Sequence, residues 1–365
     1  METEKARMRI ACVAYLHGAG GAERQIIMLA NGLSSLGHEV HLVVLYANRA
    51  CYPIDNRVIV HDLAGARQGQ EGILGRFLAL RECLRSIAPD VSVHYWMQSA
   101  YFAAAMPKRI TGSVVYSERG DPGDSEYRGL LGFVRGATFP RLDGFVFQTE
   151  AARDYFDGSV AARSAVIPNP VAVPAALVSD VAPKRQKRIV AIGRLAKQKN
   201  HQLLIRAFAR LSSEFPEYIL EIYGEGDLRD CLCSLARSLG VADRVRIIDP
   251  CTDIFVRIKE ASLFVLPSLY EGMPNALLEA MSLGLPCVTT DYAPKGAAGS
   301  IVSDKWDGVI VPDDEENLSQ AIFEVLSDTD YAAFLSKNAR ESGKRFSSEQ
   351  VFGQWESYLR KVVNT

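Results

Sequence analysis

Two glutamates stand eight residues apart, Glu271 and Glu279, in the apolar segment LYEGMPNALLEAMSLGLP (269–286). The leucines and methionine around Glu279 are typical of core, and a buried carboxylate without a polar partner costs several kcal/mol or gives up its charge. A carboxylate accepts two hydrogen bonds at once, which suits a pair of sugar hydroxyls. The spacing predicts two carboxylates that bracket one elongated polar ligand. The alternative for Glu279 is a surface glutamate on the polar side of a helix, because glutamate favours early helical turns.

Two cations, Arg194 and Lys199, follow Gly193 in the segment GRLAKQKNH. They come directly after an apolar run that is typical of a strand, and a helix capped by Asn200 follows them. Two cations beside a helix N-terminus suit a diphosphate, which needs direct charged donors. An arginine and a lysine in a solvent-exposed loop are the other interpretation.

Two glycine-rich segments also follow predicted strands. HGAGGAER contains Gly18, Gly20 and Gly21, but a dinucleotide fingerprint needs a further glycine where Glu23 stands, so a NAD site is weakly supported. The glycines either let the backbone approach an anion at the next helix N-terminus or form a tight turn.

The second glycine-rich segment, YGEGDLRD, contains Gly224, Glu225 and Gly226 after another predicted strand. It either borders a nucleoside or forms a plain turn.

In the segment 269–286, Glu271 is expected in a loop, with Pro274 at the first helical position. The backbone N–H groups of Asn275 and Ala276 are then expected to be directed at the ligand.

The elements that must position these loops alternate between apolar strands and amphipathic helices. The pattern runs twice, interrupted at 168–188 by a segment rich in proline and then in lysine and arginine, which we interpret as a linker with a solvated basic edge. Strand, helix, strand order predicts right-handed parallel units, and ligands at the carboxyl ends of the strands. The fold class is therefore α/β, with two Rossmann-like doubly wound domains facing across a cleft.

Length and composition agree with two globular domains. The chain has 365 residues, 48% hydrophobic and 23% charged, and its formal net charge of -2 argues against non-specific nucleic-acid binding. Its seven cysteines are odd in number and scattered, which indicates reduced thiols and a cytoplasmic protein. No apolar run is long enough to span a bilayer, and the start lacks the pattern of a secretion signal.

Together the segments GGAER, GRLAKQKN and EGMPNALLEAMSLGLPCV resemble glycosyltransferase family 4, retaining enzymes of the GT-B fold that use nucleotide-diphosphate sugars. The resemblance covers nearly the whole chain. It implies an acceptor-side domain at 1–175, a donor-binding domain at 176–345, and a final helix at 346–365 that crosses back to the first domain. It also implies that no metal or other cofactor is required.

The same resemblance implies roles for individual residues. Glu279 is expected to bind the donor ribose, and Glu271 to lie by the hydroxyls of the transferred sugar. Arg194 and Lys199 are expected to clamp the diphosphate and stabilise the leaving group. The remaining implied donor contacts are the backbone from Gly272 through Met273, Pro274 and Asn275 to Ala276, and the glycines Gly20 and Gly21 from the other domain.

One segment departs from the family pattern. Many members have a histidine after the strand that corresponds to SVVYS, whereas this chain has Ser117, Glu118 and Arg119. This loop resembles that of bacterial transferases that act on polyprenyl-diphosphate-linked or surface glycans. Glu118 is then a candidate for contacting the acceptor or the sugar, with an ion pair to Arg119 as the alternative. His17 is a further candidate near the acceptor, or a structural histidine.

The segment EYRGLLGFVRGATFPRL interleaves apolar residues with Arg128, Arg135 and Arg141. This pattern fits an interfacial helix near anionic headgroups or a lipid diphosphate, and it fits ordinary core equally. If it is interfacial, the enzyme docks on the inner face of the cytoplasmic membrane.

The sequence therefore predicts a transferase that moves a hexose or N-acetylhexosamine from a UDP-linked nucleotide sugar to a hydroxyl of a lipid-linked or surface glycan with retained configuration. Two alternatives use the same fold. A nucleotide-sugar hydrolase or epimerase would act without an acceptor, and a non-catalytic nucleotide-sugar-binding protein would bind without turnover.

Overall fold

The structure is a computed structural model that describes residues 6–18, 20–48, 51–64, 72–120, 129–156, 158–177, 184–293 and 296–365. The chain divides into two compact units. Unit 1 contains the residues up to Pro170 and the segment Ser348–Thr365, and unit 2 is Val171–Ser347. The sequence interpretation set these divisions after residues 175 and 345.

Strands and helices alternate along unit 1. In chain order they are β1 (Arg9–Leu16), α1 (Gly21–Ser35), β2 (Glu39–Asn48), β3 (Ile59–Asp62), α2 (Ile73–Ile87), β4 (Val91–His94), α3 (Met97–Ala104), α4 (Lys108–Thr111), β5 (Ser113–Ser117), α5 (Leu130–Thr138), β6 (Gly144–Phe147), α6 (Glu150–Asp154), α7 (Gly158–Ala161) and β7 (Ser164–Val166). In the described residues these strands form one seven-stranded sheet of order β3-β2-β1-β4-β5-β6-β7, with parallel pairing throughout.

Helices cover both faces of this sheet, because alternate residues of each strand point to opposite sides. Ile10 and Cys12 of β1 pack in the core that also holds α1, whereas Ala11 and Val13 pack with α2, α3 and α4. The doubly wound arrangement expected from the sequence is confirmed.

The last helix, α14 (Ser348–Val363), belongs to unit 1. Its Trp355 is buried in the same core as α1, and the Tyr358 hydroxyl accepts a hydrogen bond from the Phe145 N–H at 2.8 Å. Gly32 of α1 makes close packing possible, since a Cβ there would lie 2.3 Å from the Phe352 ring. The predicted return of the final helix to the first domain is confirmed.

Unit 2 repeats the alternation. Its elements are β8 (Gln186–Ile192), α8 (His201–Arg210), β9 (Ile219–Tyr223), α9 (Arg229–Ser238), β10 (Val245–Ile248), α10 (Ile254–Ile258), β11 (Ala261–Leu266), α11 (Asn275–Ser282), β12 (Cys287–Thr290), β13 (Val309–Val311), α12 (Glu315–Ser327) and α13 (Thr329–Gly343). The described strands form a six-stranded parallel sheet of order β10-β9-β8-β11-β12-β13. The chain reverses its direction of winding between β8 and β11, the place where open α/β sheets bind ligands.

The basic run at 184–188 is only in part the solvated edge that the sequence suggested, since Lys184 and Lys187 are exposed but Arg185 and Arg188 are not. Arg185 donates to the carbonyl oxygens of Lys259 (2.8 Å) and Ala261 (3.2 Å), and burial lowers its pKa to about 10. Arg188 pairs with the buried Glu221 at 2.8 Å. The interpretation was wrong for these two arginines because buried acceptors beside β8 need donors, which a reading of local composition does not detect.

Candidate functional site

The two loops that follow β8 and β11 meet at the reversal point of the unit 2 sheet. The Lys199 ammonium lies 2.5 Å from Oε1 of Glu271, and the Ser268 hydroxyl donates to the same oxygen at 2.6 Å. Glu271 is buried and Lys199 is largely shielded from solvent. The carboxylate therefore has two partners within the protein, so the sequence expectation that only a ligand would supply them was wrong for Glu271.

Gln198 joins the same two loops. Its carbonyl oxygen accepts from the Leu269 N–H at 2.8 Å, and its side-chain amide donates to the Tyr270 carbonyl at 2.9 Å. Its side-chain oxygen accepts from the exposed Arg194 guanidinium at 3.0 Å. Gln198 thus fixes the position of Arg194 beside the Lys199 and Glu271 pair. Sequence reasoning missed this residue, although it lies between the two cations that were singled out.

Ser268 and Tyr292 are two further residues that the sequence did not suggest. Tyr292 follows β12, and its buried hydroxyl has no hydrogen-bond partner among the described residues. Burial first, and the nearby Glu271 carboxylate second, raise the pKa of Tyr292. A buried hydroxyl beside a carboxylate is an unused donor at this edge of the sheet. No motif pointed to it, because the contact depends on how the loops after β11 and β12 fold together.

Helix α11 begins at Asn275, one residue later than predicted. Pro274 precedes the helix in an extended conformation, with φ -73° and ψ 104°, and its carbonyl accepts the N–H groups of Leu277 and Leu278. Glu279 comes just after the first turn and is buried, so its surface interpretation was wrong. The helix thus holds a second buried carboxylate on the segment that starts at Glu271.

Two glycines of this region serve backbone packing. A Cβ on Gly193 would lie 3.0 Å from Cδ of Lys199, and a Cβ on Gly224 would lie 1.9 Å from the Gly193 carbonyl oxygen. The loops after β8 and β9 are also joined by a hydrogen bond from the Leu195 N–H to the Glu225 carbonyl at 2.7 Å. We call the segment 193–199 the cation loop. The loop that contains Gly224 and Glu225 therefore packs against the cation loop and supports it.

The sequence predicted that Asn200 caps α8, but its side chain does not do so. Its backbone is left-handed, with φ 47° and ψ 37°, because the 3₁₀ turn Lys197–Lys199 ends there, and no hydrogen bond from its side chain caps the helix. The next residue, His201, is buried, and burial lowers its pKa to about 4. This histidine is therefore neutral at ordinary pH and packs beneath the cation loop.

The acceptor-side candidates belong to unit 1. Glu118 follows β5 and is buried; its Oε2 accepts from the Tyr116 hydroxyl at 2.9 Å, and its Oε1 accepts from the N–H groups of Arg119 and Gly120. Burial raises the pKa of Glu118. Its carboxylate organises the start of this loop. The proposed ion pair between Glu118 and the Arg119 side chain is not formed.

The Arg119 guanidinium instead points toward α14. It donates to Oδ1 of Asn169 at 2.8 Å and lies 3.9 Å above the centre of the Tyr95 ring, with Trp355 at 5.7 Å. Burial lowers the pKa of Arg119. Its contacts tie the loop after β5 to the core, which does not favour contact with an acceptor.

The other unit 1 candidates are more exposed or lie beside other groups. His17 is exposed at the end of β1, at the edge of the Tyr15 ring. Arg135 lies 5.4 Å from the centre of the Phe156 ring, and Arg128 lies outside the described residues.

The glycine turn before α1 carries a negative charge. A Cβ on Gly20 would lie 2.0 Å from the Glu23 carboxylate, which folds back over the turn beside Gly21. An anion at this helix N-terminus would meet that like charge. The glycines leave room for the Glu23 side chain, so in this conformation the turn does not offer the anion site that the sequence suggested.

No group of histidine, cysteine and acidic side chains within the described ranges could hold a metal ion. All seven cysteines are free thiols. No helix among the residues described is both long and apolar enough to cross a membrane.

Two parallel α/β units in tandem, with a last helix that returns to the first unit, form the architecture of the GT-B fold. Comparison with known families places the chain more closely: residues 19–173 match the model of Glycosyltransferase Family 4, and residues 177–342 match that of Glycosyl transferases group 1. The chain belongs to glycosyltransferase family 4.

Relatives of known activity cover almost the whole chain. It is 25% identical to the Campylobacter jejuni GalNAc-alpha-(1->4)-GalNAc-alpha-(1->3)-diNAcBac-PP-undecaprenol alpha-1,4-N-acetyl-D-galactosaminyltransferase, over 98% of this chain and 99% of that protein. It is 26% identical to the N-acetylgalactosamine-N,N'-diacetylbacillosaminyl-diphospho-undecaprenol 4-alpha-N-acetylgalactosaminyltransferase of the same organism, over 96% and 99%. A crystal structure of Anabaena Alr3699/HepE in complex with UDP has a TM-score of 0.78 at 18% identity, covering 97% of this chain and 100% of that one.

Proposed function

We propose that this glycosyltransferase moves a hexose or N-acetylhexosamine from a UDP-sugar to a hydroxyl of a lipid-linked or surface glycan, with retained anomeric configuration. The observation that carries the proposal is the pairing of Lys199 with Glu271 at the reversal point of the unit 2 sheet. It brings a cation for a diphosphate and a carboxylate for sugar hydroxyls to within one hydrogen bond of each other.

The arrangement suggests how a donor would bind. Arg194 and Lys199 would meet the diphosphate oxygens, and Lys199 would exchange Glu271 for the diphosphate as it does so. Glu271, released from the ammonium, would accept hydrogen bonds from the hydroxyls of the transferred sugar, and Glu279 would accept those of the ribose. The backbone from Gly272 to Ala276 would hold the donor between the two carboxylates.

In the reaction, the bond between the anomeric carbon and the diphosphate oxygen breaks, and the acceptor oxygen bonds to that carbon. The electron pair of the broken bond leaves with the diphosphate, and the acceptor hydroxyl proton goes to the leaving group. Charge therefore grows on the diphosphate in the transition state, where Lys199 and Arg194 would stabilise it. These cations would supply the charge that a divalent metal supplies elsewhere, so we propose that no metal is needed.

The relatives support the linkage and the acceptor. Both Campylobacter enzymes are named for alpha linkages to glycans on diphospho-undecaprenol. Since UDP-sugars of the common hexoses and N-acetylhexosamines are alpha-linked at the anomeric carbon, an alpha product means retained configuration. A lipid-linked acceptor would lie at a membrane surface, so we propose a peripheral protein on the cytoplasmic face.

The proposal is tested by calorimetry of the purified chain against UDP, GDP, ADP and their sugar conjugates in EDTA. We expect selective binding of the uridine nucleotides, followed by transfer of radiolabelled sugar to a diphospho-polyprenol glycan. Free sugar released without acceptor would indicate a hydrolase instead, and binding without turnover would indicate a non-catalytic protein. Absence of nucleotide binding would overturn the assignment of the donor site.

A further inference from the structure

Unit 1 exposes large apolar side chains on two helices. Ile73 and Leu74 of α2 are 69% and 70% exposed, and Leu78 one turn later is 48% exposed. On α5, Phe133 is 75% and Leu131 50% exposed. We name these five residues the apolar face. Removing such side chains from water is favourable, and exposed apolar clusters of this kind mark interaction surfaces.

Both helices lie on the same side of the unit 1 sheet. Helix α3 contacts α2 and α5, and the Tyr101 hydroxyl of α3 donates to the Leu131 carbonyl at 3.4 Å. Farther along α5 the chain turns inward, because Phe139 directly after that helix is buried. The sequence left open whether this segment is interfacial or core, and the structure divides it into an exposed start and a buried end.

Cations continue the apolar face. Leu74, Leu78, Arg81 and Arg85 form one outward stripe of α2, spaced by four, three and four residues. Arg81 and Arg85 are exposed and have no ion-pair partner among the described residues; Glu82 is the acidic residue beside them. Lys108 and Arg109 lie on α4, which packs against α2, and Lys108 pairs with Asp143.

We propose that the apolar face and its cations form a docking surface for an anionic lipid bilayer. Leucine and phenylalanine side chains would enter the boundary between headgroups and acyl chains, while Arg81 and Arg85 would meet lipid phosphates. A second copy of the chain fits less well, because a symmetric contact through the same face would gather Arg81 and Arg85 of both copies in one interface. The inference rests on the proposed function in one respect, since a lipid-linked acceptor lies at such a surface.

The test is co-sedimentation of the full chain, without nucleotide or sugar, with vesicles of phosphatidylcholine alone or mixed with phosphatidylglycerol. We expect binding to the mixed vesicles that weakens as salt is raised. The double variant Leu74→Asp/Leu78→Asp and the single variant Phe133→Asp should each bind the mixed vesicles more weakly than the wild type by about 10-fold or more. The double variant Arg81→Glu/Arg85→Glu should lose the preference for phosphatidylglycerol.

Leu36→Asp is the matched control. Leu36 is also a large exposed leucine of unit 1, at the end of α1 on the other side of the sheet, and this variant should bind vesicles normally. Circular dichroism and thermal unfolding of each variant, compared with the wild type, show that it is folded. The proposal is overturned if the wild-type chain does not bind anionic vesicles, or if Leu36→Asp loses as much binding as Leu74→Asp/Leu78→Asp. It is equally overturned if the chain dimerises through Leu74. Because no sugar is present, none of these results bears on transfer itself.

Discussion

Nζ of Lys199 lies 2.5 Å from Oε1 of Glu271, although 72 positions of sequence separate the two residues. This contact joins the loops after β8 and β11. If Lys199 binds the donor diphosphate as proposed, the diphosphate must compete with the Glu271 carboxylate for the lysine ammonium.

The first prediction concerns this pair. Lys199→Met should lower the free energy of unfolding by about 1–3 kcal/mol, because it takes the ammonium away from a buried carboxylate and leaves it the neutral Ser268 hydroxyl as a donor. The double variant Lys199→Met/Glu271→Gln should recover much of that loss. Urea unfolding of the wild type, both single variants and the double variant measures the coupling. Strictly additive losses would mean that the pair contributes nothing.

The second prediction separates the two glutamates. Glu279→Ala should weaken UDP binding about 10-fold or more, since a charged hydrogen-bond acceptor is lost. Glu271→Ala should leave UDP affinity unchanged or higher, because it frees Lys199, while transfer falls by about 100-fold. Calorimetry with UDP and initial rates of transfer check this pattern. Equal loss of UDP affinity in both variants would contradict the assigned roles.

The third prediction concerns Gly224. Gly224→Ala would place a methyl group against the Gly193 carbonyl, so the cation loop must move, and we expect about 1–3 kcal/mol of destabilisation with weaker UDP binding. Gly299→Ala in the same unit meets no atom within 4 Å and should change neither property. Thermal unfolding and calorimetry of both variants test this. A wild-type-like Gly224→Ala would show that the loop after β9 does not support Arg194 and Lys199.

The fourth prediction is a pH dependence at Glu118. Burial raises its folded pKa above the ordinary 4.5, so the folded state holds this proton more tightly than the unfolded state. The resulting stability is present in full below pH 4.5 and is lost as pH rises toward the folded pKa. Glu118→Gln removes the titration.

The unfolding free energy of Glu118→Gln relative to wild type should therefore rise with pH above 4.5, measured by urea unfolding between pH 4 and 8. A difference that stays constant over this range would contradict a raised pKa. Tyr116→Phe, which removes the hydroxyl donor to Glu118, should keep the titration and serves as the control.

The fold could be predicted from the sequence because its signals are local. The apolar runs RIACVAYL and ASLFVL, each followed by helical periodicity, predict parallel strands whatever their neighbours are. Likewise, the motifs around Arg194, Lys199, Glu271 and Glu279 placed the candidate donor site at strand ends in the second half of the chain.

The details that failed depend on contacts between distant segments. Arg185 was predicted to be solvated because its neighbours are basic, whereas carbonyl groups of residues 259, 261 and 284 surround it. The ion pair between Glu118 and the Arg119 side chain is not formed, because the Glu118 carboxylate instead accepts from backbone N–H groups of its own loop. Gln198, Ser268 and Tyr292 carry no motif of their own.

The sequence by itself determined two α/β units, their strand order along the chain and the residues that could bind a nucleotide sugar, since periodicity and strand-end position are properties of short segments. Only the tertiary structure decided which of those residues meet. The Lys199 and Glu271 pair, the Arg119 contact with Tyr95 and the exposure of Leu74 and Phe133 arise from the packing of separate loops and helices, whose distances are set by the whole unit and not by spacing along the chain.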